Sequence, residues 1–186
     1  MNLVPVPVDV DPESGEWSSE GQPMILIPRR FFVFIQMESE RRFGLDATQH
    51  LYDEATRKGA RVWCEQEEKR SGAAGETVFE RYLDRVSSRG MGRFEVQRLA
   101  VGEGYARVVL KHSIFVSEYG AHAGRNVCYS FAAALAGAIE YLRERAGFGD
   151  EPIAAREVGC ESNEGEQCAF EVSMASTASN VRAIKT

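Results

Sequence analysis

Two cysteines placed symmetrically about a short polar loop constrain the fold of this chain more than any other feature. The segment Glu157-Val-Gly-Cys160-Glu-Ser-Asn-Glu-Gly165-Glu-Gln-Cys168 predicts a β-hairpin whose three-residue loop ends at Gly165, in the left-handed conformation that glycine adopts freely. In that register Cys160 lies opposite Cys168, with the two Cβ atoms about 4.5 to 5.5 Å apart on one face. The pattern therefore predicts an antiparallel hairpin that carries two adjacent sulfur atoms.

That spacing suits either a cross-strand disulfide or two thiolates on one tetrahedral zinc ion. The sequence shows no signal-peptide pattern, so we expect a cytoplasmic protein whose thiols stay reduced, and zinc is favoured. Two buried cysteines that simply pack together are the alternative. The remaining cysteines are Cys64, interpreted as an ordinary core residue, and Cys128, at the first turn of an apolar helix.

A structural zinc ion needs four ligands, and Cys128 is the natural third because a helix N-terminus stabilises a thiolate. Glu157, His122 and His112 are the candidates for the fourth position. Strand alternation alone does not select Glu157, since residues three apart point to opposite faces, but a bulge at Gly159 would bring it round.

Length and charge exclude several classes of protein. The 186 residues suffice for one domain with a hydrophobic core. The net charge of −6 has the wrong sign for binding nucleic acid through its phosphates. The longest nearly uncharged apolar run, Val127 to Ile139, has 13 residues, whereas a membrane-spanning helix needs about 20. We therefore expect neither nucleic acid nor a membrane as a partner.

The N-terminal half predicts two extended arms followed by helices. The arms, around Val4 to Val10 and Met24 to Ile27, have no obvious partner strand. Pro28 begins an aromatic helix that we expect to be largely buried. Further helices are predicted from Asp46 to about Arg70, with Gly59 at a close backbone approach, and from about Glu76 to Ser88.

From Phe94 onward, the spacing of apolar residues changes from the helical period to the alternation typical of β-strands. The runs Phe94–Val101 and Tyr105–Phe115 predict a hairpin in which Val101 faces Tyr105. This register places Phe94 and His112 on the apolar side. A fourth helix with Asn126 as its N-cap follows. An apolar pocket would be lined by these two elements and by the helical layer, and the candidate ligand-binding residues are His112, Phe131, Leu135, Phe94 and Trp63. The alternative is that these side chains fill the core.

The motifs Cys128-Tyr-Ser-Phe-Ala-Ala-Ala-Leu-Ala-Gly137, Arg156-Glu-Val-Gly-Cys160 and Glu164-Gly-Glu-Gln-Cys168-Ala-Phe-Glu-Val172 resemble the 4-vinyl reductase domain over roughly residues 105 to 175. The resemblance implies an α+β fold in which an antiparallel sheet packs with helices, as in heme nitric-oxide-binding domains and TRAPP subunits. In the aromatic-sensing members, activators of phenol, toluene and xylene catabolism, the Glu-x-x-Cys-x7-Cys run and a helix-start cysteine hold zinc. By resemblance these ligands are Cys128, Glu157, Cys160 and Cys168.

The sequence thus predicts a homodimeric domain with a structural zinc that binds a small hydrophobic or aromatic ligand, as a sensor or carrier with a partner protein. Catalysis is not expected, because four protein ligands close the metal and Gly102-Glu-Gly104 lies in a hairpin. The alternative is a ligand-free assembly factor for a catabolic or tetrapyrrole-biosynthetic enzyme. We expect one compact unit, with arms and a helical dimerisation region (1–92), a zinc-containing subdomain (93–175) and a flexible tail (176–186).

Overall fold

The computed structural model of this chain describes residues 6–175, and Val4 and the predicted tail at 176–186 lie outside them. Near the N-terminus is a small antiparallel sheet of three short strands: β1 (Asp9–Val10), β2 (Trp17–Ser19) and β3 (Gln22–Met24). The expectation that the arms lack partners is wrong. A turn in which the Gly15 N–H donates to the Asp11 carbonyl at 2.8 Å folds the first arm onto β2.

The helical layer follows as three helices: α1 (Arg29–Phe43), α2 (Leu45–Ser71) and α3 (Glu76–Ser88). The second and third agree with the predicted bounds, because both carry a clear helical periodicity between glycine-containing ends. The apolar stripe of α3 is buried at Val78, Phe79, Tyr82 and Leu83. On α2 the buried positions are instead Thr48, Ala60, Cys64 and Glu67.

The expectation that the aromatic first helix is largely buried is wrong. Only Val33 and Gln36 of α1 are buried within the described chain. Phe31 and Phe43 are 57% and 66% exposed, and the chain just before the helix exposes Leu26 by 78%. The helix therefore contacts the rest of the fold through Val33 and Gln36 and the partly buried Phe32 and Met37, while Phe31, Phe34, Ile35 and Phe43 face outward.

The main sheet has four antiparallel strands in the order β4-β5-β7-β6: β4 (Arg93–Ala100), β5 (Tyr105–Lys111), β6 (Ile153–Gly159) and β7 (Cys168–Met174). Helix α5 (Tyr129–Arg145) packs against β6 and β7 on one face and against α2 on its other side. Ion pairs cross the opposite face, where Glu171 pairs with Arg107 at 2.7 Å and with Arg156 at 2.8 Å. The predicted α+β class, with an antiparallel sheet against helices, is confirmed.

The β4–β5 hairpin differs from its predicted register. Ala100, rather than Val101, pairs with Tyr105, and the pairing is irregular between Val96 and Arg98. Strand β5 also ends earlier, because His112 has a left-handed backbone with φ 58°. A short helix that the sequence pattern did not indicate, α4 (Ile114–Tyr119), follows at once.

The close helix crossing lies at Gly137 of α5, and the prediction that it involves Gly59 is wrong. A Cβ atom at Gly137 would lie 2.3 Å from the backbone oxygen of Arg57 on α2, whereas a Cβ at Gly59 would meet nothing within 4 Å. The missing side chain lets α5 approach the backbone of α2 directly. This contact brings the middle of α5 against the backbone of α2.

Candidate metal centre

The start of α5 and the β6–β7 hairpin bring the four predicted ligands together. Cys128 immediately precedes α5, while Cys160 and Cys168 flank the turn between β6 and β7. Glu157 belongs to β6, where the pairing with β7 is irregular between Glu157 and Gly159. This bulge, expected at Gly159, rotates the carboxylate toward the cysteines. One ligand atom from each of the four residues lies within 4.8 Å of all the others.

The three sulfur atoms form a compact group without a disulfide. Cys168 Sγ lies 3.6 Å from both Cys128 Sγ and Cys160 Sγ, and all three side chains are fully buried as free thiols. Hydrogen bonds from Cys128 and Cys168 hold the pKa of the Cys160 thiol well below its ordinary value. Thiolates and a carboxylate at this spacing are a donor set that zinc accepts in tetrahedral sites.

The Glu157 carboxylate is also oriented so that it could bind a metal ion together with the three sulfur atoms. Its Oε2 accepts the backbone N–H of Cys128 at 2.8 Å, and its Oε1 is buried with no hydrogen-bond partner among the described residues. Without a cation, burial raises the pKa of this carboxyl to about 9. Burial likewise raises the pKa of the Cys128 thiol. A bound divalent cation would compensate the charge of the deprotonated ligands and satisfy the unpaired oxygen.

Hydrogen bonds hold the loop before α5 against the β6–β7 turn. Asn126 donates from its amide to the carbonyl of Glu157 at 2.8 Å, and the Gly124 N–H donates to the Ser162 carbonyl at 3.1 Å. The Asn126 side chain therefore binds the backbone of β6. The prediction that Asn126 is the N-cap of the helix is wrong, because Cys128 occupies that position. The preformed site thus joins two elements that are distant in sequence.

The turn between β6 and β7 is longer than the predicted three-residue loop, because β6 ends at Gly159, a 3-10 helix spans Glu161–Asn163 and β7 begins only at Cys168. Glu164, rather than Gly165, takes the left-handed backbone, with φ 61°. Gly165 is required for space, because a Cβ there would lie 2.7 Å from the Cys160 carbonyl oxygen. That carbonyl accepts the N–H groups of both Asn163 and Gly165 at 2.9 Å. The turn is therefore closed around Cys160.

The histidines do not join the cluster. His122 lies exposed in the loop before α5, and His112 is exposed in the turn after β5. The prediction that His112 faces the apolar side of the hairpin is wrong, because the strand has already ended and the backbone turns away. Neither side chain is placed to bind the metal, and His112 is not placed to bind a ligand in the core.

Of the other predicted ligand-binding residues, Phe94, Phe131 and Leu135 lie in the core, and Trp63 is partly buried against it. Phe94 and Phe131 meet edge to face with ring centroids 5.2 Å apart, and Phe131 also contacts Phe115 at 5.2 Å. Leu135, one turn further along α5, is buried in the same cluster. Trp63 lies between α2 and α3, where its ring packs on Tyr82 at 5.3 Å. The structure thus joins Phe94, Phe131 and Leu135.

Two groups near the site were not indicated by the sequence pattern. Ser113 Oγ lies 3.0 Å from Cys128 Sγ. Glu40 of α1 accepts the hydroxyls of Tyr119 and Tyr129 at 2.8 and 2.9 Å, which fastens α1 to the start of α5. The serine before a short apolar run is a capping signal that could have been found, whereas the Glu40 contacts join residues about eighty positions apart and carry no local signal.

Comparison with known protein families finds a match for the N-terminal half of the chain. Residues 3–97 match the family described as "Domain of unknown function (DUF5943)", which is half of the chain. The chain belongs to the DUF5943 family. The match to DUF5943 covers the small sheet, the three helices and most of β4. No curated protein matches the sequence.

Solved structures relate the fold of this DUF5943 chain to known domains. The phenol-responsive sensory domain of the transcription activator PoxR, solved with phenol, is 14% identical with a TM-score of 0.73, covering 90% of this chain and 84% of that chain. A trafficking protein particle complex subunit 3 from Naegleria fowleri, covalently bound to palmitic acid, is 10% identical with a TM-score of 0.47, covering 80% and 95%. The PoxR likeness shows a shared fold and is consistent with the resemblance to the 4-vinyl reductase domain.

Proposed function

We propose that this DUF5943 chain is a small-molecule-binding sensory or carrier domain with a structural zinc ion, acting by binding and not by catalysis. The observation that carries the proposal is the buried cluster of three thiols and one carboxylate in a fold shared with a phenol-responsive sensory domain. Free thiols at such a site suit the reducing cytoplasm. Among residues 6–175, no helix has the length and apolar character needed to cross a membrane.

The zinc ligands would be Cys128, Glu157, Cys160 and Cys168. The unpaired Oε1 of Glu157 and the compact sulfur group support this assignment. Four protein ligands would leave no coordination position for a reactive water molecule, so the role of the ion would be structural. It would connect the start of α5 to the β6–β7 hairpin and so hold in place the helix that carries Phe131 and Leu135.

The ligand would enter the aromatic cluster between α5 and the main sheet. Phe94, Phe115 and Phe131 present ring edges and faces to one another, and a small apolar or aromatic molecule could replace one of these contacts by another of the same kind. The phenol bound by the related sensory domain is a ligand of this class. We expect a partner protein to recognise the structural change that ligand binding causes.

The runner-up is a ligand-free assembly factor for a catabolic or tetrapyrrole-biosynthetic enzyme. The observation that favours it is the direct contact among the aromatic rings, which already fill space with one another. In that case the same residues would serve only as a core, and the exposed surface of α1 would carry the function.

Native mass spectrometry and thermal unfolding separate the two functions. The binding function predicts a co-purified small molecule or a rise in melting temperature with part of a panel of phenols, alkylbenzenes and fatty acids, since a ligand of the native state stabilises it. A Leu135→Met variant should change which compounds stabilise the protein, while a Leu51→Met control on the exposed face of α2 should not. No bound molecule and no shift with any compound would leave the assembly function.

A further inference from the structure

The serine that precedes α4 touches the proposed metal centre. Ser113 is 1% exposed and lies between the end of β5 and the first turn of α4. Its Oγ accepts the backbone N–H of Phe115 at 3.2 Å and lies 3.0 Å from Cys128 Sγ. Because His112 takes the left-handed conformation just before it, the chain turns sharply and points this hydroxyl at the sulfur.

The position of the Ser113 hydroxyl hydrogen determines which atom donates in the contact between Ser113 Oγ and Cys128 Sγ. A serine hydroxyl has one hydrogen and two lone pairs, and the Phe115 N–H uses one lone pair. If the Cys128 thiol donated, the Ser113 hydrogen would be buried without an acceptor, which is costly. If Cys128 is a thiolate, as a metal ligand must be, Ser113 donates and both groups are satisfied.

Within the cluster, Cys128 Sγ contacts Cys168 Sγ at 3.6 Å. The N–H of Cys128 itself is used by Glu157. Within residues 6–175, the hydrogen-bond donor from outside the cluster that reaches Cys128 Sγ is Ser113.

We propose that Ser113 is a positioning residue of the metal centre, whose hydroxyl donates to the Cys128 thiolate and fixes its orientation toward the ion. The inference rests on the proposed zinc site. Three thiolates and a carboxylate carry more negative charge than one divalent cation neutralises, so each sulfur needs a donor in this buried setting. Ser113 supplies such a donor to Cys128 while it caps α4, and it thereby couples the end of β5 to the metal centre.

The test compares Ser113→Ala with Ser87→Ala in the full chain. Ser87 is a matched control, since it is also buried and its Oγ accepts the N–H of a phenylalanine, Phe94, at 3.1 Å, but its hydroxyl donates to the Leu83 carbonyl instead of a sulfur. Zinc affinity is measured by competition with a chromophoric chelator, and the thiolate-to-metal charge-transfer band is recorded with Co²⁺ in place of zinc.

We expect Ser113→Ala to weaken zinc binding about 10- to 100-fold and to shift the Co²⁺ band, since this is the usual effect of losing a hydrogen bond to a metal ligand. Ser87→Ala should leave both unchanged, and Ser113→Thr, which keeps the hydroxyl, should retain parental affinity. Parental affinity and an unchanged band in Ser113→Ala would overturn the proposal while the parent still binds zinc. A parent that binds no zinc would overturn the metal site itself.

If Ser113→Ala does not fold, the parent protein loaded with ¹¹³Cd provides the decisive measurement. The Ser113 hydroxyl hydrogen, being buried, should show scalar coupling to the cadmium nucleus through the Cys128 sulfur. A resolved hydroxyl resonance without that coupling would contradict the hydrogen bond.

Discussion

At the scale of single residues, a carboxylate on α1 holds the start of α5. Glu40 accepts hydrogen bonds from Tyr119 and Tyr129 and pairs with Arg125 at 2.5 Å. Burial raises the pKa of Tyr129 far above its ordinary value, and the charge of Glu40 adds to the shift. Tyr129 directly follows Cys128, so the start of the helix next to this proposed metal ligand is anchored by α1 as well as by the sheet.

This network predicts a loss of stability in alkali. An unfolded tyrosine ionises near pH 10, whereas folded Tyr129 keeps its proton to higher pH, so the native state binds more protons and the free energy of unfolding falls as pH rises above about 10. Tyr129→Phe should reduce that fall by about 1.4 kcal/mol per pH unit. Urea unfolding of both proteins at pH 9 and pH 11 checks this, and parallel pH dependences would contradict it.

Local sequence predicts Cys160 and Cys168 as neighbouring candidate ligands, whereas Glu157 is preferred to the histidines only through the resemblance to the 4-vinyl reductase domain. Much of the surroundings of the cluster could not be predicted. Cys160 and Cys168 face each other because of a turn that the intervening residues encode. Ser113 reaches Cys128, and Glu40 reaches Tyr129, only through tertiary packing. The position of His112 could not be predicted from local sequence either. Its left-handed backbone ends β5, so its side chain does not face the predicted pocket.

At the scale of elements, the contact between α2 and α5 gives a paired prediction. Gly137→Ala forces a Cβ against the Arg57 carbonyl and should destabilise the protein by roughly 1 to 3 kcal/mol, the usual range for overpacking. Gly59→Ala has open space around it and should stabilise α2 by roughly 0.5 to 1 kcal/mol. Chemical unfolding measures both, and equal effects of the two variants would contradict the crossing at Gly137.

The helices also show what periodicity can and cannot tell. It located α2 and α3 nearly to the residue, because apolar spacing and flanking glycines act locally. It did not tell which face of α2 is buried, since Leu51 and Val62 are exposed while Cys64 and Glu67 are buried. The choice of face follows from the neighbour, and the glycine that admits this neighbour lies on α5, not on α2.

At the scale of the whole molecule, the outward apolar surface of α1 and the preceding segment supports the homodimer predicted from the sequence. Its members are Ile25, Leu26, Phe31, Phe34 and Ile35. Exposed large apolar side chains of this number are typical of an interaction site, and a twofold partner would bury the same surface of both copies.

We expect light scattering coupled to size-exclusion chromatography to give twice the chain mass for the parent protein. A double variant, Phe34→Lys with Ile35→Lys, should give the mass of one chain, because the two lysines of each copy would be buried close to the two like-charged lysines of the other. Leu51→Lys is the control, since Leu51 is equally exposed but lies on α2. A dimer that survives the double variant would place the interface elsewhere.

The metal is the central claim, and the zinc content of freshly purified protein tests it most directly. We predict close to one zinc ion per chain by elemental analysis, with loss of the ion and a lower melting temperature in both Cys160→Ser and Cys168→Ser but not in Cys64→Ser. Less than about half an equivalent of zinc, or variants of Cys160 and Cys168 as stable as the parent protein, would contradict the account.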